Sequence, residues 1–272
     1  MDKKLEIERS IIKKFRKPIW NKFIEACKQY DLIAPGDKIA VCISGGKDSF
    51  LLAKLLEELK RHGETDFELE FISMDPGYNK QNKDLILKNA GAMGLDIKFF
   101  NSDIFNVTEN VGGNPCYLCA RMRRGYLYSF AKSLGCNKIA LGHHFNDVIE
   151  TILMGMLYSG QLNTMMPKLK STNFEGMELI RPLYCVKEDD IKAWAKYNKL
   201  EFIACACRLT ESIEKNLELK SYRKKTKELI KTLKKDDDLI DINIFKSVHN
   251  INLNQIIGYK KDGKAHSFLD EY

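Results

Sequence analysis

The stretch Ser44-Gly45-Gly46-Lys47-Asp48-Ser49 stands directly between one apolar run, Ile39-Ala40-Val41-Cys42-Ile43, and another, Phe50-Leu51-Leu52-Ala53. No other feature constrains the fold as tightly. A short apolar run rich in β-branched residues reads as a buried strand, and the run after the loop continues at helical length. The loop is therefore a strand-to-helix turn. Adjacent glycines let a backbone turn sharply and approach an anion closely, and the free N–H groups of a helix start carry partial positive charge. Lys47 adds a full charge. The spacing excludes the Walker loop, which needs four residues between its glycines and a closing Gly-Lys-Ser/Thr. A Gly-Gly turn alone would fit any strand-helix junction; the complete six residues point to a bound pyrophosphate.

The chain after this loop alternates. Strands are expected near 38–43, 67–73, 96–101 and 137–141, and helices near 48–61, 80–93, 117–134 and 146–158. This is the rhythm of an α/β fold with a doubly wound parallel sheet, whose ligands bind outside the carboxyl ends of the strands. Asp75 and Gly142-His143-His144 also follow strands, so they share that edge with the loop. A further strand at Leu179-Ile180, a helix near 188–198 and a short strand at Phe202-Ile203 extend the same domain. The expected division is an N-terminal helical segment over 1–35, a nucleotide domain over 36–210, and a basic helical extension over 211–272. Pro18 interrupts the first segment, and the last twenty or so residues read as a small helix and tail.

With 272 residues and 44% hydrophobic content the chain can bury a sizeable core. The start Met1-Asp2-Lys3-Lys4 lacks the apolar block of a secretory signal, and no apolar run reaches the roughly 18 residues of a membrane span. The expected compartment is the cytoplasm, where thiols stay reduced and clustered cysteines serve metal or sulfur chemistry. The net charge of +7 is concentrated in two helical segments, near 13–28 and 220–235. Such segments are either solvated faces or a footprint for RNA phosphates.

Of the 8 cysteines, Cys27, Cys42, Cys136 and Cys185 lie within or beside apolar patterns and read as small core residues. The others cluster. Cys116 and Cys119 open a helix that carries Arg121, Arg123 and Arg124, and Cys205 and Cys207 follow Phe202-Ile203. A helix start and nearby arginines favour thiolates, as metal binding and nucleophilic sulfur chemistry both require. A tetrahedral zinc site and three-thiolate ligation of an iron–sulfur cluster both fit this spacing. Asp147, in Leu141-Gly142-His143-His144-Phe145-Asn146-Asp147, is the candidate for magnesium or for orienting a nucleophile. A helix-capping role for Asn146 is the plainer alternative.

Taken together, the patches Gly36-Asp37-Lys38-Ile39 into Ser44–Ser49, Cys116-x-x-Cys119 into Arg123-Arg124-Gly125, Ala140-Leu141-Gly142-His143-His144, Ile180-Arg181-Pro182-Leu183 and the late cysteines resemble the tRNA 2-thiocytidine synthetase family of the ATP pyrophosphatase (PP-loop) superfamily. The resemblance spans nearly the whole chain. It implies an adenine nucleotide alpha hydrolase-like fold, ATP, Mg2+ and a 4Fe-4S cluster as cofactors, and tRNA as substrate. It also implies a sulfur donor such as a cysteine desulfurase or free sulfide, and leaves pairing into a homodimer open. Ser44, Gly45, Gly46, Lys47, Asp48, Ser49, Asp75, Gly142 and His143 would bind ATP. Lys47, Asp48 and Asp147 would serve catalysis, and the metal ligands would come from Cys116, Cys119, Cys205 and Cys207. The implied reaction adenylates the C2 carbonyl oxygen of a cytidine, at position 32, and replaces it with sulfur.

Two departures stand out: Asn146 occupies the place of a common aspartate, and the late cysteines have one residue between them rather than two. Relatives that thiolate uridine carry extra cysteine pairs near both ends, which this chain lacks, and lysidine synthetases have no need of Cys116 and Cys119. A zinc-stabilised RNA-binding protein with a non-catalytic ATP loop and a thiolase of a small molecule complete the alternatives.

Overall fold

Ile39, Ala40 and Val41 are wholly buried because their strand lies in the middle of a sheet covered on both faces. In the computed structural model, which describes residues 2–102, 115–203 and 217–271, that strand is β1 (Lys38–Cys42). Its neighbours are β2 (Glu68–Asp75) and β4 (Lys138–Ala140), and the six-stranded sheet runs β3-β2-β1-β4-β6-β5, with β3 at Ile97–Asn101, β5 at Lys168–Lys170 and β6 at Glu178–Ile180. Val41 registers in parallel with Phe71 on one side and Ala140 on the other.

Alternation across the pleat divides β1 between two cores. Ile39 and Val41 pack with Phe50, Leu51 and Leu55 of α3 (Lys47–His62), with α1 (Lys3–Ile12), α2 (Asn21–Gln29), α4 (Lys80–Met93) and α7 (Glu188–Tyr197) contributing to the same cluster. Ala40 and Cys42 face the opposite layer, where Tyr128 and Ala131 of α5 (Pro115–Ser133) close the sheet. Burial pushes the Cys42 thiol up to about 12, Cys136 to about 11 and Cys185 to about 12, so these sulfurs stay protonated members of the core.

The expected parallel sheet is present, with β5 added antiparallel to β6 at its edge. The structure corrects three other expectations. Phe202-Ile203 is not a strand; the Ile203 N–H donates to the Gly45 carbonyl at 3.2 Å instead of to a ladder. Pro18 sits inside a π-helical turn, Arg16–Trp20, in which the Trp20 N–H reaches back five residues to the Phe15 carbonyl. The end of the chain holds a hairpin, β7 (Gly258–Lys261) with β8 (Lys264–Ser267), as well as the small helix α9 (Ile240–Ser247).

Two compact units emerge, Met1–Val148 with Met165–Lys220, and Ile149–Thr164 with Ser221–Tyr272. The second contains α8 (Leu217–Asp236) from Ser221 onward, where Tyr222 packs on Tyr158 at 4.3 Å between ring centroids and Arg223 pairs with Glu150 at 3.6 Å. Among the described residues no helix is long and apolar enough to cross a membrane.

Candidate active site

The loop after β1 is held from within and from outside. Ser49 Oγ accepts from the Ser44 N–H at 3.2 Å and donates to the Gly46 carbonyl at 2.9 Å, which cross-braces the turn. Gly45 has φ +85°, a backbone that favours glycine, and a Cβ there would lie 2.6 Å from Ile203 Cδ1 and push that side-chain end aside. The Tyr78 hydroxyl reaches the Ser44 carbonyl at 3.5 Å, and burial pushes that hydroxyl up to about 12. Gly46 is the N-cap of α3 and supplies no side chain to cap it. The first N–H groups of α3 are therefore open to an external acceptor.

A cleft of about 330 Å³ opens beside this helix start, and of the residues expected to bind ATP, Ser44, Asp48, Ser49, Gly142 and His143 line it, together with Asp147. Gly142 presses against the α3 start: a Cβ there would stand 3.0 Å from Asp48 C and Ser49 N. Asp48 Oδ1 is buried and accepts no hydrogen bond among the described residues, and Arg123, which also lines the cleft, keeps Nε and Nη2 buried and unbonded among them. One acidic and one basic group thus face the cleft with unused capacity, an arrangement suited to a metal–phosphate ligand that offers both signs.

His144 sits between two carboxylates. Its Nε2 is 3.9 Å from Asp48 Oδ1 and its Nδ1 3.4 Å from Asp147 Oδ2. Asp147 also accepts from the His144 N–H at 3.0 Å, which caps α6 (Phe145–Ser159). Lys47 points elsewhere, to Asp48 Oδ2 at 3.1 Å and Glu188 Oε1 at 3.5 Å. Glu188 opens α7, and its N–H is capped by Asn146 Oδ1 at 2.9 Å. Asn146 is a cap, but of a helix 42 residues downstream rather than its own.

Asp75 stands apart from the cleft lining. Its Oδ1 accepts from the Gly77 and Tyr78 N–H groups at 2.8 Å each, and Lys83 lies 3.3 Å from Oδ2. Burial alone would raise its pKa, but these donors hold it below the usual carboxylate value. Asp75 thus builds the turn that carries Pro76 and Tyr78 into the cleft lining.

Cys116 and Cys119 fall in the first two turns of α5, which begins at Pro115, a favoured first helical residue. Cys205 and Cys207 lie outside the described residues, as do the side chains of Cys116 and Cys119. Among the described residues no group of three or more His, Cys, Asp and Glu side chains is placed to hold a metal.

Sequence reasoning missed Glu188 and undervalued His144. The paired histidines offered a signal for His144. Glu188 offered none, since its partner Lys47 is distant in sequence.

Comparison with known proteins agrees with this geometry. The sequence matches the PP-loop domain family over residues 12–217. It is 34% identical over 238 residues to the tRNA-cytidine(32) 2-sulfurtransferase of Citrifermentans bemidjiense, covering 86% of this chain and 90% of that one. It is 37% identical over 215 residues to the enzyme of that name from Syntrophotalea carbinolica, covering 78% and 80%. Among solved structures, the U34-tRNA thiolase NcsA from Methanococcus maripaludis with its 4Fe-4S cluster superposes with a TM-score of 0.66 at 23% identity, over 85% of this chain and 79% of that one, a likeness of fold. A cross-braced strand-to-helix loop at the carboxyl edge of a parallel sheet, with the family match over residues 12–217, makes this chain a member of the PP-loop family and, within it, of the tRNA-cytidine(32) 2-sulfurtransferases.

Proposed function

We propose that this protein thiolates a cytidine of tRNA, position 32 by the naming of its relatives, in a reaction that consumes ATP. The observation that carries the reading is the uncapped start of α3 beside a cleft in which Asp48 and Arg123 keep unused hydrogen-bonding capacity. ATP phosphates would rest on the N–H groups that follow Gly45 and Gly46, with Ser44 and Ser49 fixing the loop. The C2 carbonyl oxygen of the base attacks the α-phosphorus, and pyrophosphate leaves. Sulfide then attacks C2, and AMP departs with the former carbonyl oxygen. Electrons balance without an oxidant.

Lys47 would turn from Glu188 toward the phosphates and offset charge that develops on the leaving pyrophosphate. Asp48 and Asp147 would hold Mg2+ at the phosphates, with His144 between them fixing both carboxylates. Gly142 and His143 would form the wall facing the nucleotide.

Cys116 and Cys119, paired thiols near the start of a helix, are a donor set that fits a 4Fe-4S cluster, with Cys205 or Cys207 completing three-thiolate ligation. Bound there, the cluster supplies an iron site for the incoming sulfur.

The test is a single reaction: anaerobically purified protein, unmodified tRNA transcript, ATP, Mg2+ and sulfide, with AMP and nucleosides quantified together. One 2-thiocytidine per AMP is expected, lost with Cys116→Ala together with iron and acid-labile sulfide. Zinc in place of iron with no thiolated nucleoside would overturn the reading.

A further inference from the structure

The second unit carries two features that the ATP site does not use. Lys224, Lys231 and Lys235 are exposed on α8. At 3.6 residues per turn they fall in a stripe about 40° wide and about 16 Å long. Buried Thr226 and Ile230 lie on the other side of the helix. Two other cations of α8 are ion-paired, Arg223 with Glu150 at 3.6 Å and Lys234 with Asp241 at 2.7 Å, while the Lys225 ammonium lies 6.0 Å from the centre of the Tyr222 ring. The three stripe lysines form no ion pair among the described residues, and Glu228 is the acid that borders them.

The second feature is the β7–β8 hairpin. Asp262 and Gly263 join its strands with φ of +51° and +77°, the backbone of a type I′ turn. Register sets Tyr259 opposite His266 and Lys261 opposite Lys264, which places all four on one face. The Tyr259 and His266 rings stack at 4.7 Å and 11°. Like charges directly opposite each other on a strand pair repel. A face that keeps two lysines together beside an exposed Tyr259 ring backed by a half-buried His266 is matched to an anion that also offers flat apolar surfaces. Unstacked nucleic acid has both, since bases stack on aromatic side chains while phosphates meet cations. An acidic protein would use the lysines and leave the rings without purpose.

We propose that the second unit is a tRNA-binding surface, with the α8 stripe contacting backbone phosphates and the hairpin face taking an unstacked nucleotide. This rests on the functional reading above and names where the substrate is gripped.

Full-length protein and an unmodified tRNA transcript provide the test, with affinity measured across a salt series and ATP binding measured in parallel. The triple variant Lys224→Glu, Lys231→Glu, Lys235→Glu should bind tRNA at least tenfold more weakly and flatten the slope of log K against log salt by about 2. Tyr259→Ala should weaken binding by roughly tenfold with little change in slope, as loss of a stacking platform requires. Both variants should bind ATP like the wild type, which reports that the first unit is intact. Wild-type affinity and slope in both variants overturn the surface while leaving the functional reading standing. A change of sedimentation with unchanged tRNA affinity overturns it too, assigning the face to a second copy. Wild-type protein that neither binds nor thiolates tRNA overturns surface and function together.

Discussion

Two helices begin on the same edge of the sheet, at the ends of adjacent strands, and they treat their first N–H groups in opposite ways. The start of α3 is capped by a glycine with no side chain, whereas the start of α6 is closed, the Phe145 N–H donating to the Val186 carbonyl at 3.0 Å and the Asp147 N–H to His144 Nδ1 at 3.4 Å. A closed start satisfies its own dipole and is finished as structure; an open one exposes oriented donors and binds anions. The difference marks the α3 start as the one fitted to an anion without reference to any ligand. Both starts send a carboxylate to the cleft, Asp48 from α3 and Asp147 from α6, but only the α3 start adds open backbone donors.

The harshest way to break the contrast is to spoil the open start. Gly45→Ala forces a non-glycine residue to φ +85° and sets a methyl 2.6 Å from Ile203 Cδ1. The left-handed backbone alone costs about 1–2 kcal/mol, and escape from it turns the loop away from the phosphates. ATP-dependent thiolation should fall by roughly a hundredfold or more, read as kcat/KM for ATP. Activity within tenfold of the wild type would show that the loop is not the phosphate site.

Lys47→Met keeps the stem and removes the charge, and so asks how much the open start needs a cation beyond its backbone. Removal of a group that stabilises transition-state charge costs about a hundredfold in kcat. Because Lys47 is tied to Asp48 and Glu188 before ATP arrives, KM should move much less than kcat. Equal losses in both would mean a ground-state role.

Gly142→Ala acts where the two starts touch. Its Cβ would stand 3.0 Å from backbone atoms of Asp48 and Ser49, which can give only by shifting the α3 start. Displacements below an ångström at a phosphate site cost about tenfold in rate, so a tenfold loss with an unchanged melting temperature is expected. A large drop in stability with full specific activity would instead make Gly142 a packing residue.

Much of this was legible in the sequence because the signals are local. The strand-loop-helix order around Ser44–Ser49 and the burial of β1 follow from the hydrophobic pattern. What escaped was tertiary. Phe202-Ile203 has strand composition, yet Ile203 covers Gly45, a contact between residues that sequence spacing cannot pair. Asn146 sits where its own helix should be capped, yet it caps α7, because the end of β4 and the start of α7 meet in space. The terminal hairpin was readable and was missed: Asp262-Gly263 between lysine-flanked strands is a strong short-range turn signal.

A third helix start supplies the control for the whole comparison. α4 follows β2 on the same edge, and Asn79 Oδ1 accepts from the Asn82 N–H at 2.8 Å. It is closed like α6 but contributes nothing to the cleft. Asn79→Ala should therefore cost about 1 kcal/mol of stability, the ordinary worth of such a cap, and leave kcat for thiolation unchanged. The Asp75 turn just before it adds an acid signature. Its carboxyl titrates below the usual value in the folded protein, so its contribution is complete above the unfolded pKa of about 3.9 and is lost as pH falls through the lower folded value. Asp75→Asn should flatten the acid limb of the stability curve, whereas Asn79→Ala should lower the curve evenly at all pH. Pro76 and Tyr78 of this connection already line the cleft; if either substitution reduced turnover at neutral pH while stability held, Asp75 or the start of α4 would join them in the site, and an open helix start would no longer be what distinguishes the loop after β1 from its neighbours.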